Sequence, residues 1–220
     1  FQFKPRTFKL DSTSQFNLQV TNRLWLHRKY AEKNLFPAIY LSPLNEKPGF
    51  VYSDFFFYTM PKIVKYRTGV DFEPYLKNTF YRRLGAYTLT YNPLRFFPKD
   101  RIVPTERDTF YRMSLLHGKV HDEGASMVGG ISGHAGLFGS VNDLAKLMQT
   151  YLNYGRYGNE QLIAETAVKE FIRCQYCAEE NIHRGLGFDK PFLEYAPGRS
   201  TYAKDASPES FGHTGYTGTF

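Results

Sequence analysis

The sequence predicts a mixed α/β fold of the α+β kind, mostly helical and with few strands. Three observations lead there. SDFFFYTMPKIVKYRTG and DFEPYLKNTFYRRLG follow one another as helical patterns, each with a capping residue in front and a glycine behind. SVNDLAKLMQTYLNYG opens on a capping pattern and places its apolar residues at helical spacing. The end, ESFGHTGYTGTF, alternates glycine with threonine and tyrosine, which favours extended chain. With 42% hydrophobic residues in 220, a packed core is expected rather than disorder.

Taken in order, residues 1–50 are irregular, with an extended candidate at Leu24–Leu26 and breaks at Pro37, Pro43 and Pro48. Ser53 can cap the first long helix and Gly69 stop it, with a kink expected at Pro61. Asp71 caps the second helix, which Gly85 stops. Residues 86–120 read as loop and short extended pieces around Pro93, Pro98 and Pro104. GGISGHAGLFG is too rich in glycine for a helix, and predicts a tight loop with buried anchors at Leu137 and Phe138. Ser140-Val-Asn-Asp143 is a capping box with Asp in place of Glu, and its helix ends at Gly155. A further helix is expected from about Ala164 to Tyr176, then GLGF and a long loop to the terminal strand. There Gly212, Gly215 and Gly218 leave the backbone open to a bound group; a Gly-rich surface hairpin is the alternative.

Composition excludes several function classes. The net charge of +7 divides into +11 over residues 1–120 and −4 over 121–220. The basic residues are scattered singly or in pairs, so nucleic acid is not expected and an anionic partner such as cell-wall polymer fits better. No apolar run approaches the roughly 20 residues of a membrane span. The start, FQFKPRTFKL, has neither Met nor an apolar signal core, so a chain processed or cut from something longer is expected. Cys174-Gln-Tyr-Cys177 follows a helical pattern and has no second Cys pair, which favours two packed or half-exposed thiols over a redox pair or half a zinc site. His117 and His121 stand at i, i+4 before Asp122-Glu123, with His134 further on, and invite a metal. Gly118 interrupts the would-be helix and H-E-x-x-H is absent, so neither metal nor cofactor is expected. Gly130-Ile-Ser132-Gly-His134 fails as a G-x-S-x-G nucleophile turn, and no P-loop or dinucleotide motif occurs.

VYSDFFFYTMPKIV, VHDEGASMVGGISGHAGLFGSVNDLAKLMQTYL, GLGFDKP and FGHTGYTGT together resemble the serine β-lactamase-related superfamily of class C β-lactamases, DD-peptidases and esterases. The likeness runs from about residue 16 to the last residue. It is nearest to the β-lactamase-like domain found in Bacteroidetes, often fused behind an N-acetylglucosaminidase. The resemblance implies a transpeptidase-like fold, of which residues 1–220 are the central portion of one domain, truncated at both ends. The helical region would cover about 16–180, and a strand of the antiparallel sheet about 210–220.

That family uses Ser-x-x-Lys for nucleophile and base partner, Tyr-x-Asn for a second proton-transfer group, and Lys/His-Thr-Gly to line the pocket. Tyr52-Ser53-Asp54 resembles the second motif and His213-Thr214-Gly215 the third. The resemblance implies Tyr52, Asp54 and His213 as catalytic residues. Thr214, Gly215 and Tyr216 would bind substrate, the Tyr216 N–H facing an oxyanion. No Ser-x-x-Lys occurs in the 220 residues. Asp54 replaces an amide donor by an acceptor, and histidine in place of lysine at 213 is mostly uncharged at neutral pH. Both departures weaken recognition of a β-lactam's carboxylate. The implied activity is that of a peptidase, amidase or esterase on a peptidoglycan-derived or other small acyl substrate. The alternative is a non-catalytic peptidoglycan-binding or interaction module of the same fold. A periplasmic, outer-membrane-associated or secreted location goes with either.

Overall fold

Leu24-Trp25-Leu26 alternates buried, half-buried and buried side chains, the pattern of a strand covered on one face. In the computed structural model, which describes residues 4, 6–47, 49–177, 182–192, 194–195, 197–198 and 200–216, this segment is the centre of a three-stranded antiparallel sheet. Strands β1 (Phe8–Lys9), β2 (Leu18–Thr21) and β3 (Leu24–Leu26) lie in the order β1-β3-β2, with Phe8 opposite Leu26 and Leu18 opposite Leu26 from the other side. Phe8, Val20, Leu24, Leu26 and Tyr111 form the buried cluster, and Leu18, Tyr30 and Met127 pack against it. The chain divides into two compact units, Phe1–Leu144 and Ala145–Phe220.

In the first unit a π-helical turn, Ala31–Leu35, runs into helix α1 (Phe36–Tyr40). Helix α2 (Phe55–Thr68) ends as expected at Gly69, which is left-handed (φ +72°) and donates its N–H to the Lys65 carbonyl. Pro61 does not interrupt it. Proline lacks the N–H that would bond Phe57 four residues earlier, and Gly133 supplies one instead, its N–H at 3.2 Å from the Phe57 carbonyl oxygen. Helix α3 (Phe72–Leu76) follows and continues as a π-helical turn over Lys77–Tyr81.

Residues 86–120 contain strand β4 (Thr90–Tyr91) and the hairpin of β5 (Pro104–Asp108) with β6 (Ser114–His117). His117 thus closes a strand, and Gly118 turns the chain at φ +71°, so HGKVH is not a helix. The hairpin is fixed by an ion pair that sequence reading did not single out. The side chains of Asp108 and Arg112 are 2% and 0% exposed and meet at 2.6 Å. Asp108 also accepts the N–H groups of Phe110 and Tyr111, while Arg112 donates to the carbonyls of Val120 and His121. Burial alone would raise the Asp108 carboxyl; the Arg112 bond and the backbone N–H groups together hold it below the ordinary carboxylate value.

Helix α4 (Glu123–Met127), strand β7 (Leu137–Phe138) and helix α5 (Val141–Leu152) complete the middle of the chain. Strand β7 pairs with β4, Leu137 opposite Tyr91. Leu137 is 38% exposed, so it is not the buried anchor expected of the glycine loop. The loop is held instead by buried Ser132 and by Gly130 and Gly136, both at positive φ. At the start of α5 the Ser140 hydroxyl accepts the Asp143 N–H at 3.3 Å, the expected cap. Asp143 also reaches beyond its own helix: its carboxylate takes the Thr88 N–H and hydroxyl at 2.8 and 2.7 Å, and Thr88 Oγ1 accepts the Ser140 N–H.

In the second unit Gly155 (φ +88°) follows the end of α5, and the short hairpin of β8 (Arg156–Tyr157) with β9 (Glu160–Gln161) leads to helix α6 (Glu165–Ile172). Helix α6 stops short of the expected Tyr176 because Arg173 turns to extended backbone (ψ 138°). The turn brings Cys174 and Cys177 to a Cα separation of 5.7 Å, and they form a disulfide rather than two thiols. The Gln175 N–H bonds the Arg184 carbonyl across the same turn. Near the end, Gly212 makes an isolated antiparallel bridge with Asp189, and residues 213–216 are not in a strand; the rest of the expected terminal strand, 217–220, lies outside the described residues. No described helix is long and apolar enough to cross a membrane.

Two outcomes test this account. Asp108→Asn leaves Arg112 buried without its anion, and denaturant unfolding at pH 7 should show a loss of about 3 kcal/mol. A carboxyl held low in the folded state stabilises above its unfolded value near ~4 and ceases to as pH falls through the folded value, so the gap between wild type and variant should close in acid. At Gly136 (φ +111°) an added Cβ would overlap the Gly130 carbonyl oxygen, so Gly136→Ala should lower the thermal midpoint by an amount equivalent to at least about 2 kcal/mol.

Candidate active site

Asp54 stands at the entrance of α2 with helical backbone (φ −84°, ψ −7°), and its carbonyl accepts the Tyr58 N–H. The Ser53 hydroxyl accepts the Phe55 N–H at 3.2 Å, so the expected capping contact is present one residue earlier than the helix boundary. Tyr52, on the approach to the helix, is 58% exposed, and Asp54 is half-buried. Among the described residues the Asp54 carboxylate has no hydrogen-bond or ion-pair partner.

Asp122 faces it from another segment. As the residue before α4 it has extended backbone, and its Oδ1 accepts the Ala125 N–H at 2.6 Å. The same oxygen takes the Nε2 side of His134 at 2.9 Å. The other ring nitrogen of His134, Nδ1, meets Ser132 Oγ at 3.0 Å, and the Ser132 side chain is fully buried. The loop behind them is fastened at several points. The Tyr91 hydroxyl donates to the Ser132 carbonyl, Asn92 Nδ2 donates to the Gly129 carbonyl, and the Gly133 N–H reaches α2.

One carboxylate oxygen of Asp54, one of Asp122 and one ring nitrogen of His134 all lie within 4.8 Å of one another. Tyr58, one turn into α2, lays its ring 4.3 Å from the His134 ring, and its hydroxyl lies where a side chain on Gly124 would be. Burial first, then the charges of Asp122, Asp54 and Glu123, push the Tyr58 hydroxyl well above the ordinary tyrosine value, so it stays protonated. Burial opposes ionisation of Asp122 too, but the bonds from His134 and Ala125 and the nearby His134 and His121 outweigh it and hold the carboxyl low.

The remaining sequence-predicted residues belong to the second unit. Asp189 exchanges backbone hydrogen bonds with Gly212, its carbonyl also accepts the Tyr202 hydroxyl, and its side chain pairs with Arg184. His213 Nδ1 lies 2.8 Å from the Thr214 carbonyl oxygen, and His213, Thr214, Gly215 and Tyr216 are exposed.

The sequence thus pointed to Asp54 but did not group it with the residues gathered beside it. Asp122 and His134 were both weighed for a metal, in company with His117 and His121. His117 instead bonds the Ile102 carbonyl. The signal that could have found the group is the cap: Asp122 precedes α4 and is fixed there, so a histidine on the glycine loop has a stationary acceptor.

The family model described as Beta-lactamase matches residues 10–220. Two proteins named putative D-alanyl-D-alanine carboxypeptidase, from Escherichia coli O157:H7 and strain K12, are 38% identical over 192 residues, covering 81% of this chain and 43% of their own length. One of the same name from Salmonella heidelberg is 36% identical over the same extent. The chain therefore spans less than half the length of these relatives. No solved structure matches it. With the family model running through both the Tyr-Ser-Asp and the His-Thr-Gly segments, the chain belongs to the Beta-lactamase family.

Proposed function

We propose that the chain is part of a serine hydrolase that cleaves cell-wall peptide through an acyl-enzyme, as a carboxypeptidase of the D-alanyl-D-alanine type. The observation that carries this is the family match over residues 10–220 together with relatives named for that activity. The 220 residues contain no Ser-x-x-Lys, so the serine of this mechanism comes from elsewhere in the full-length protein.

In the proposed reaction the serine oxygen attacks the peptide carbonyl and gives its proton to Tyr52, a residue 58% exposed. A neighbouring cation would have to lower the Tyr52 pKa for this. The departing D-alanine amine takes a proton as the acyl-enzyme forms, and water then releases the acyl group. Asp54 is the polar partner beside Tyr52. His213, Thr214 and Gly215 line the substrate, and the Tyr216 N–H donates to the oxyanion. The Cys174–Cys177 disulfide supports a place in an oxidising compartment, the periplasm, outer membrane or exterior, where this substrate is found.

The full-length protein should release D-alanine from a D-alanyl-D-alanine peptide and retain a fluorescent penicillin covalently. Tyr52→Phe should lower turnover by about 10²–10⁴-fold. Nitrocefin should be hydrolysed far more slowly than the peptide, because an acceptor at Asp54 and histidine at 213 disfavour a β-lactam carboxylate. A full-length protein that neither releases D-alanine nor takes the label is the binding module instead.

A further inference from the structure

We propose that Asp54, Asp122 and His134 form a binding site for one divalent transition-metal ion of the zinc class. Three donor atoms of two chemical kinds, from three separate segments, converge within 4.8 Å. The donors have capacity to spare. Among the described residues Asp54 uses neither carboxylate oxygen in a hydrogen bond, and Asp122 uses only Oδ1, leaving Oδ2. Among the described residues neither pairs with a lysine or arginine; the side chain that meets Asp122 is His134 itself.

The surroundings of His134 point the same way. A metal-binding imidazole presents one nitrogen and has its other N–H held by an outer partner. Ser132 Oγ stands at 3.0 Å from Nδ1, fully buried, and its main chain is fixed by the Tyr91 hydroxyl. In the ion-free protein Nε2 donates to Asp122 Oδ1; uptake of the ion would release that proton and leave the ring's other proton on Nδ1, donated to Ser132, with the Nε2 lone pair on the metal. The Tyr58 ring at 4.3 Å sets the plane of the imidazole, and Asp122 is held by the Ala125 N–H. Half-exposed Asp54 and Asp122 leave a solvent side, so three protein ligands and one open position result, which suits zinc. Imidazole with carboxylates selects zinc and its neighbours over magnesium and calcium. His117 and His121 take no part. Uptake of the ion stands on these residues whether or not the full-length protein is a hydrolase, and the test reads binding rather than turnover.

Full-length protein stripped with a chelator should take up one equivalent of Zn²⁺ at this site by calorimetric titration. His134→Gln and Asp54→Asn should each weaken uptake by more than the 10–100-fold expected of an outer partner, and Ser132→Ala by about that 10–100-fold. X-ray absorption of the Zn²⁺-loaded wild type should show one imidazole nitrogen with oxygen ligands and no sulfur. Asp54→Asn changes a carboxylate without a hydrogen-bond partner, so its thermal midpoint without metal should match wild type and separate lost binding from lost folding. The proposal is overturned if Zn²⁺ is not taken up, if either ligand variant binds as tightly as wild type, or if the first shell holds sulfur or two imidazoles.

Discussion

A hydrogen bond that proline cannot make organises the site. Without an N–H at Pro61, the Phe57 carbonyl of α2 needs a donor from outside the helix, and Gly133 provides it. Gly133 lies between Ser132 and His134, so this bond sets both beside the first turns of α2, where Asp54 and Tyr58 reside. The approach is close enough that a Cβ at 133 would crowd the Phe57 carbonyl and Met60. One imino acid and one glycine, 72 positions apart, thereby join two segments that local propensity leaves independent.

A second line of support runs from the interior. Arg112 is neutralised by Asp108 and donates further to the carbonyls of Val120 and His121, the residues just ahead of Asp122. A fully desolvated guanidinium tolerates few unsatisfied donors, so it holds these carbonyls in place. The position of Asp122 is inherited from the core rather than chosen at the surface. Tyr111, next to Arg112, belongs to the apolar cluster on the β1-β3-β2 sheet, which links the same chain segment to sheet packing.

Much of the helical frame was legible. Gly69 and Ser140 signal boundaries through local chemistry, left-handed backbone and a side-chain cap, and such signals survive in the fold. The strand at Leu24–Leu26 was legible for the same reason, its alternation being local. Partnerships between distant residues were not. Strands β4 and β7 have two residues each, too short for a period, and exist because they pair with one another. Asp143 looked like a partner for its own helix and is taken by Thr88, 55 positions away. That α2 continues past Pro61 rests on a compensating donor invisible in sequence. The cysteine pair was misread because its outcome hangs on where α6 stops, and Arg173 ends it early. Of the site, Tyr52 and Asp54 came from motif resemblance, while the company of Asp54 came from tertiary structure alone.

Asp122 Oδ1 accepts from two donors at once, the Ala125 N–H of α4 and the His134 ring. The start of α4 and the orientation of His134 are therefore thermodynamically linked through a single oxygen. Anything that draws that oxygen toward one donor weakens its hold on the other, and linkage is reciprocal: the free energy by which a change at His134 frays α4 equals that by which fraying of α4 shifts His134. Helix α4 has five residues, so it has little cooperativity of its own with which to resist. The site thus has a conformational correspondent in α4, and the order of that short helix reports on the state of the imidazole.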